Sequence, residues 1–318
     1  HVAGDGFAHH DTIFPLFLFI AGVSFPYSVA KQRAGGMSEG RIYAKIVRRG
    51  LTLVVLGVVY NGLFKLDFEN LRIASVLGRI GLAWSIAAVL YLNFGVKTRA
   101  AIAVAVLAGY GALSALVAAP DAAGAGPLTF EGNLAGYIDR QFLPGKLIYG
   151  SFDPEGLLST VPAVVTAMLG MFTGEFVRRG DIRGGRKTLW MAAAAAALLA
   201  AGLAFSGVLP VNKKLWSSTF VCVVGAYSLG MFALFYYLID VRGWRRWTLF
   251  FRVVGLNSIT IYLAQRIVGF GRISDFFLGG IASKCPEAVA AVISSAGYVA
   301  VCWLFLYFLY RKNVFLKV

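Results

Sequence analysis

Long, uninterrupted runs of apolar residues alternate with short polar stretches along the whole chain. Most of these runs are about 18 to 23 residues long, close to the length that a helix needs to cross a hydrocarbon layer of about 30 Å. Lipid offers the backbone no hydrogen-bonding water, so each run is expected to be an α-helix. The pattern predicts an all-α fold, a polytopic integral membrane helix bundle with about nine spans. The predicted spans lie near 12–30, 50–64, 75–93, 100–118, 157–177, 189–209, 217–239, 249–270 and 288–310.

The polar stretches between the runs alternate in charge. Cationic loops are retained in the cytosol, so the cationic set is expected on that side, with the His1 end outside and the C-terminus inside. The exception is the short outer loop with Lys213 and Lys214. The cationic set is Lys31, Arg33, Arg41, Lys45, Arg48, Arg49, Lys97, Arg99, Arg178, Arg179, Arg183, Arg186, Lys187, Arg242, Arg245, Arg246, Arg311, Lys312 and Lys317. The other set is mixed or acidic: Lys65, Asp67, Glu69, Asp121, Glu131, Asp139, Arg140, Lys146, Asp153 and Glu155.

Composition favours a membrane protein over a nucleic-acid-binding one. Of the 318 residues, 58% are hydrophobic and 14% are charged, whereas a soluble domain is usually nearer one quarter charged. The net charge of +15 would otherwise indicate nucleic acid, but cationic cytosolic loops account for it. Cys222, Cys285 and Cys302 show no disulfide or metal-ligand spacing. The lipid bilayer is therefore the expected partner, with neither nucleic acid nor a metal.

The candidate chemistry is concentrated in the first eleven residues. His1, His9 and His10 are the three histidines of the chain, and with Asp5 and Asp11 they stand at the outer mouth of the first span. Imidazole titrates near neutrality and can act as acid, base or nucleophile, and a neighbouring carboxylate can orient it. Two plainer interpretations stay open. Asp11 could cap the following helix, and at least one of His9 and His10 could be an ordinary interfacial residue.

The same segment carries a family resemblance. Further matching motifs at 77–83, 153–162, 212–216 and 255–258 extend it over most of the chain. Together these motifs resemble the heparan-α-glucosaminide N-acetyltransferase family and its bacterial relatives. The residues of the first segment that match are His1, Gly6, Asp11, Phe14, Pro15, Phe17, Phe19 and Gly22.

The resemblance implies roles for particular residues. It aligns His1 with the catalytic histidine of the family and Asp11 with a supporting aspartate, and His10 is the alternative if His1 is not used. The family has a further helix before that histidine, for which this chain has no counterpart. The chain is therefore interpreted as a single transmembrane acyltransferase-like domain over 1–318 that lacks its first helix. The bacterial relatives point to a bacterial inner membrane.

Four more polar residues lie in or beside the spans. Asp153 and Glu155 bracket a proline at a span entry, which suits a helix start and is also compatible with binding sugar hydroxyls. Arg79 lies about 6 Å into its helix and is expected to pair or to bind a ligand. Asn257, in the middle of a span, fits either an interhelical hydrogen bond or an active-site amide.

The implied reaction is transfer of an acetyl group from cytosolic acetyl-CoA to an amino sugar or glycan end outside. Arg48 and Arg49 are expected to bind the phosphates of the cofactor, and Arg79 its thioester end. Direct transfer and an acetyl-imidazole intermediate both remain open. A membrane O-acyltransferase of cell-surface glycans is one rival hypothesis, and a permease for sugars or peptidoglycan fragments is another. A homodimer is compatible with either enzyme.

Overall fold

The structure, a computed structural model, describes Gly6 and residues 8–316, without the side chain of Lys65. In this part of the chain the regular structure is helical, apart from two isolated single-residue bridges. The chain divides into two compact units, His1–Arg242 and Gly243–Val318.

The described part of the first unit contains eight α-helices. A short 3-10 turn, His9–Thr12, leads into the first helix, and a π-helical turn, Tyr237–Val241, continues the last. The helices are α1 (Ile13–Ala34), α2 (Glu39–Tyr60), α3 (Val76–Asn93), α4 (Val96–Leu116), α5 (Leu134–Phe142), α6 (Thr160–Arg178), α7 (Gly184–Ala204) and α8 (Ser218–Tyr236).

The long helices of this unit alternate in direction. Gly22 and Val23 of α1 lie against Ala167 and Gly174 of α6 in the same order, so these two helices are parallel. On α2 the order is reversed relative to α3, which makes that pair antiparallel. We call the end at which α1, α3, α6 and α8 begin the near end, and the opposite end, where α2, α4 and α7 begin, the far end.

Helix α6 lies at the centre of the unit, with 72% of its span buried. It approaches α1 so closely that a Cβ atom on Gly22 would overlap the carbonyl oxygen of Ala167. A Cβ on Gly170 or Gly174 would likewise overlap the carbonyls of Phe19 and Val23. Gly170 and Gly174 are four residues apart and so share one face of α6. Such small-residue faces allow membrane helices to pack backbone to backbone.

A long connection between α4 and α6 folds over the near end. It contains α5, whose first turn is capped because the side-chain oxygen of Asn133 accepts a hydrogen bond from the Gly136 amide at 2.6 Å. One single-residue bridge, Arg72 with Gly145, fastens the connection to the segment between α2 and α3, and a second, Ala118 with Asn133, closes a loop within the connection. The connection therefore forms a structured cover rather than a loose linker.

The second unit contains four helices in its described part, and the first two of them replace the predicted span 249–270. The polypeptide turns at Asn257, whose backbone leaves the helical region (φ −124°, ψ 26°), so the predicted single span is two short helices. The helices are α9 (Thr248–Leu256), α10 (Ser258–Ala264), α11 (Phe270–Ala282) and α12 (Glu287–Arg311).

Seven of the described helices are long and apolar enough to cross a membrane, and the chain is a polytopic integral membrane protein. The two predicted spans outside this set are 249–270, broken at Asn257, and 50–64. The latter is the second half of α2, which starts eleven residues earlier at Glu39. Its first half carries Arg41, Lys45 and Arg48 on one exposed face, so α2 is amphipathic and not uniformly apolar.

The contact between α1 and α6 predicts the effect of adding a single methyl group. We expect Gly170→Ala to lower the stability by about 1–3 kcal/mol, because the new Cβ overlaps the backbone of Phe19 and overpacking of this kind is destabilising. Gly230→Ala on α8 is the matched control, since its Cβ would have its nearest neighbour at 3.9 Å. Thermal unfolding in detergent measures both. Equal midpoints for the two variants would contradict the described packing.

Candidate functional site

The turn that precedes α1 positions Asp11, one of the predicted site residues. Asp11 is 3% exposed, and its Oδ2 accepts the amide of Ala8 at 3.1 Å. Thr12 Oγ1 donates to the carbonyl oxygen of His9 at 2.7 Å, which closes the same turn. The interpretation of Asp11 as the cap of the following helix is therefore wrong. Asp11 stabilises the turn before α1, while Thr12 occupies the N-cap position of the helix itself.

The other oxygen of Asp11 faces a residue from a distant part of the chain. Lys213 Nζ lies 3.1 Å from Asp11 Oδ1. Lys213 belongs to the short near-end loop that departs from the charge rule for outer loops. Because this lysine is paired with a buried carboxylate, the ion pair explains why a cationic residue lies in a loop that is expected outside the cytosol.

The loop that carries Lys213 has a defined conformation. Asn212 Oδ1 accepts the amide of Leu215 at 3.1 Å, and Ser217 Oγ accepts the amides of Asn212 and Phe220. Between them Trp216 has a φ of +50°, which is uncommon for a bulky residue and costs free energy. Its side chain is fully buried, so tertiary packing stabilises the strained backbone.

The histidines occupy different positions around Asp11. His10 Nε2 lies 3.6 Å from Asp11 Oδ1. His9 Nδ1 is 3.2 Å from the hydroxyl of Tyr227 on α8, and its ring packs edge-on against that tyrosine. His1, the predicted catalytic residue, lies outside the described residues. Gly6 is described, and its amide donates to the carbonyl of Val211 at 2.9 Å. Gly6 is therefore attached two residues before Lys213.

A second charged cluster lies under the near-end cover. Arg72 binds both oxygens of Asp153, at 2.7 Å and 2.5 Å, and also pairs with Glu155. Asp153 additionally accepts the amides of Ile148 and Glu155. Of the two predicted sugar-binding carboxylates, Asp153 is buried and its oxygens are hydrogen-bonded to Arg72 and to backbone amides. These bonds hold the near-end cover in place. Glu155 keeps one side facing a cavity, described below.

Asp139 of α5 fastens the same segment from the other side. Its two oxygens accept the amides of Leu157, at 2.9 Å, and of Asp153, at 3.3 Å. The carboxylate is fully buried. Burial, opposed in part by these two amides, raises the pKa of Asp139 to about 6.

Arg79 joins the two clusters through a buried tryptophan. Its Nη2 donates to Ser159 Oγ and, at 3.5 Å, to the carbonyl of Gly156. The guanidinium lies over the ring of Trp216, 4.9 Å from its centroid. Trp216 in turn contacts Phe14 of α1, with 4.9 Å between ring centroids. The structure thus brings Arg79 together with the near-end residues and not with Arg48 and Arg49.

Arg48 and Arg49 lie inside α2 and face different ways. At 1.5 Å per residue, Arg49 is about 15 Å from the start of that helix. Its guanidinium is over Trp84 of α3 at 4.5 Å, and its Nε has no hydrogen-bond partner among the described residues. Arg48 is exposed. Neighbouring residues on a helix point apart, so a single ligand would meet one of the two.

The remaining predicted residue, Asn257, belongs to the second unit. It is 1% exposed, and its Oδ1 accepts a hydrogen bond from Thr260 at 3.3 Å. Its Nδ2 has no partner in the described part of the chain. This bond lies within one turn region and not between packed helices, and the alternative role of Asn257 as an active-site amide stays a prediction.

Several residues of the site had only a weak signal in the sequence. Lys213 and Trp216 lie in the matched motif 212–216, and Lys213 also departs from the loop-charge rule. These two signals together could have marked Lys213 as a partner of a near-end carboxylate. Ser159 lies in the matched motif 153–162, whereas Asp139 had no such signal. Within the described ranges, no group of three histidine, cysteine or acidic side chains is arranged to hold a metal.

Comparison with known proteins agrees with the motifs. Human heparan-alpha-glucosaminide N-acetyltransferase is 27% identical to the chain over 375 aligned positions, which take in all of this chain and 55% of the human protein. The mouse protein of the same name is 26% identical over 372 positions, with 56% of its length covered. The chain thus spans about half the length of these relatives. No family model matches the sequence. The similarity confirms the family resemblance.

The buried carboxylate of Asp139 predicts a pH effect on stability. Its pKa is higher in the folded protein, about 6, than the ordinary 3.8. Between these values the folded state retains a proton that the unfolded state loses, so stability falls as the pH rises, by up to about 3 kcal/mol. Asp139→Asn mimics the protonated form and lacks this dependence. We therefore expect the variant to gain stability relative to the wild type between pH 4.5 and pH 7.

Thermal unfolding in detergent at the two pH values measures this difference. All other titrating groups are common to both proteins, and their effects cancel in the comparison. Parallel pH profiles for the two proteins would show that Asp139 does not titrate in this range.

Proposed function

We propose that this protein is a membrane-bound N-acetyltransferase that moves an acetyl group from acetyl-CoA to the amino group of a glucosamine-type sugar. One observation carries the proposal. The near end holds a buried carboxylate, Asp11, fixed by Lys213 and by a backbone amide, with an imidazole 3.6 Å away. This arrangement stands in a chain that is similar throughout its length to curated N-acetyltransferases.

The chemistry requires a group that accepts a proton. The sugar nitrogen forms a bond to the thioester carbonyl carbon, the carbon–sulfur bond breaks, and CoA leaves as the thiolate. The proton lost by the nitrogen goes to an imidazole, which we assign to His1. In the alternative route His1 first accepts the acetyl group itself and then passes it to the amine. In both routes a carboxylate such as Asp11 favours the charged or acylated ring.

The described residues are compatible with a role for His1. Gly6 is bonded to Val211, two residues before Lys213. Five residues of extended chain reach at most about 17 Å. The length of the chain thus allows His1 to approach Asp11, and His10 lies 3.6 Å from the Asp11 carboxylate.

The orientation that we propose places the near end outside and the far end in the cytosol of a bacterial inner membrane. Its main support is the distribution of cationic loops, most of which lie at the far end. The pairing of Lys213 with Asp11 accounts for the principal exception. Acetyl-CoA would then approach from the far end and the sugar from the near end.

For the donor we assign Arg49 in preference to Arg48. Arg49 faces α3, is partly buried over Trp84 and has an Nε without a partner among the described residues. A partly buried cation with an unmet donor is a candidate for ligand binding. The side chain of Arg48 is exposed and does not face α3.

The histidines are distinguished by three alanine variants in proteoliposomes. Acetyl-CoA is supplied on the far-end side and glucosamine on the near-end side, and N-acetylglucosamine is measured. We expect His1→Ala to reduce the rate by about 10²- to 10⁴-fold, as for loss of a general base. His9→Ala should retain most of the activity, because that ring is engaged by Tyr227. Glucose in place of glucosamine tests for O-acetylation.

Near-normal activity of His1→Ala together with loss in His10→Ala would transfer the role to His10. Acetylation of glucose at the same rate as glucosamine would favour the O-acyltransferase. A protein that transfers no acetyl group to either sugar, while it transports them, would overturn the proposed function.

The donor assignment predicts different effects for two adjacent arginines. Arg49→Gln should raise the KM for acetyl-CoA about tenfold or more, since a charge-assisted contact is lost, and should leave the KM for glucosamine unchanged. Arg48→Gln is the matched control and should leave both constants near the wild type. Arg49→Lys tests whether charge alone suffices. Equal KM values for acetyl-CoA in the two glutamine variants would exclude Arg49.

A further inference from the structure

A narrow apolar cleft separates two consecutive helices of the first unit. Helices α3 and α4 are joined by a two-residue turn, yet each packs against α6. The space left between them is a cavity of about 420 Å³. Leu82, Ile86, Ile102 and Val106 line its sides, and Met168 of α6 lies at its floor.

Apolar side chains of the cleft lining are exposed on the outside of the unit, where a membrane protein meets lipid. Leu82 and Ile86 of α3 are 43% and 48% exposed, and Leu157 and Val161 at the start of α6 are 41% and 42% exposed. Its lining on α3 extends from Ser75 to Leu90, a rise of about 22 Å. This exceeds half of a hydrocarbon core of about 30 Å. The dimensions are those of a slot for one extended hydrocarbon chain.

The near end of the cleft is chemically different from the rest. Arg79 lines it and is 2% exposed. Its Nε and Nη1 have no hydrogen-bond partner in the described part of the chain. These atoms carry three N–H groups, and a buried guanidinium with unmet donors is unfavourable.

Neighbouring protein groups leave these donors unmet. The carboxylates of Asp153 and Glu155 are both bound to Arg72. The described partners of Arg79 are neutral oxygens on Ser159 and Gly156. A ligand that fills the cleft must therefore present acceptor oxygens at one end and a long apolar chain at the other.

We propose that the cleft is a phospholipid-binding site, with one acyl chain between α3 and α4 and the phosphate on Arg79. Phosphate oxygens match the three free N–H groups, and charge-assisted hydrogen bonds to a guanidinium are strong. A zwitterionic head such as phosphoethanolamine avoids placing net negative charge beside Glu155. This occupant is an alternative to the thioester contact expected for Arg79, and it is independent of the acetyl-transfer reaction.

Native mass spectrometry of the purified protein tests the proposal. Phosphatidylethanolamine is added to the protein in detergent and compared with a diacylglycerol of the same chains, which lacks the phosphate. The wild type is expected to bind one phosphatidylethanolamine at least about tenfold more tightly than the diacylglycerol. Arg79→Gln should abolish that preference. Arg252→Gln, an exposed arginine of the second unit, is its matched control.

A second pair of variants tests the cleft independently of Arg79. Val106→Trp fills the cavity and should weaken binding about tenfold or more. Val104→Trp, on a 68% exposed position of the same helix outside the lining, should have no effect. Thermal unfolding confirms that each variant is folded.

Two results would overturn the proposal. One is equal binding of phosphatidylethanolamine and diacylglycerol by the wild type, because the phosphate would then have no partner. The other is unchanged lipid binding in folded Val106→Trp, because the chain would then lie elsewhere.

Discussion

The backbone contact between α1 and α6 is the constraint on which the near end depends. At Gly22, Gly170 and Gly174 no side chain separates the two helices, and carbonyl oxygens face Cα atoms directly. Lipid provides no hydrophobic force to press apolar helices together, so close packing of small residues holds the pair. Asp11 precedes α1, and the segment with Asp153 and Glu155 leads into α6. The relative position of the two charged clusters therefore follows from this contact.

The spans that could be predicted from the sequence are those in which apolarity alone determines the structure. Runs such as 75–93 and 157–177 agree with α3 and α6 to within three residues, because lipid requires a helix wherever the chain is apolar. Two features could not be predicted from apolarity. The helix of α2 extends through a cationic segment that had been interpreted as a loop, and Asn257 breaks a run whose hydropathy is continuous. Hydropathy reports the environment of a segment and not its backbone hydrogen bonds.

The candidate site was only partly predictable, for a different reason. Asp11, Glu155 and Arg79 were recognisable as charged residues near or within apolar runs, where charge requires an explanation. Their partners depend on tertiary structure. Asp153 and Glu155 are separated by a single proline in the sequence. The hydrogen bonds of the Asp153 carboxylate go to Arg72 and to backbone amides, whereas Glu155 also lines a cavity. Spacing along the chain carries no information about such differences.

The ion pair between Asp11 and Lys213 has a consequence for biosynthesis. The two residues are separated by 202 positions. At a synthesis rate of about 5–20 residues per second, Asp11 leaves the ribosome roughly 10–40 s before Lys213. During that interval α1 and the next four candidate membrane-spanning helices are synthesised while the near-end carboxylate lacks this cation. Assembly of the site is therefore a late event, completed only after the α7–α8 hairpin has been inserted.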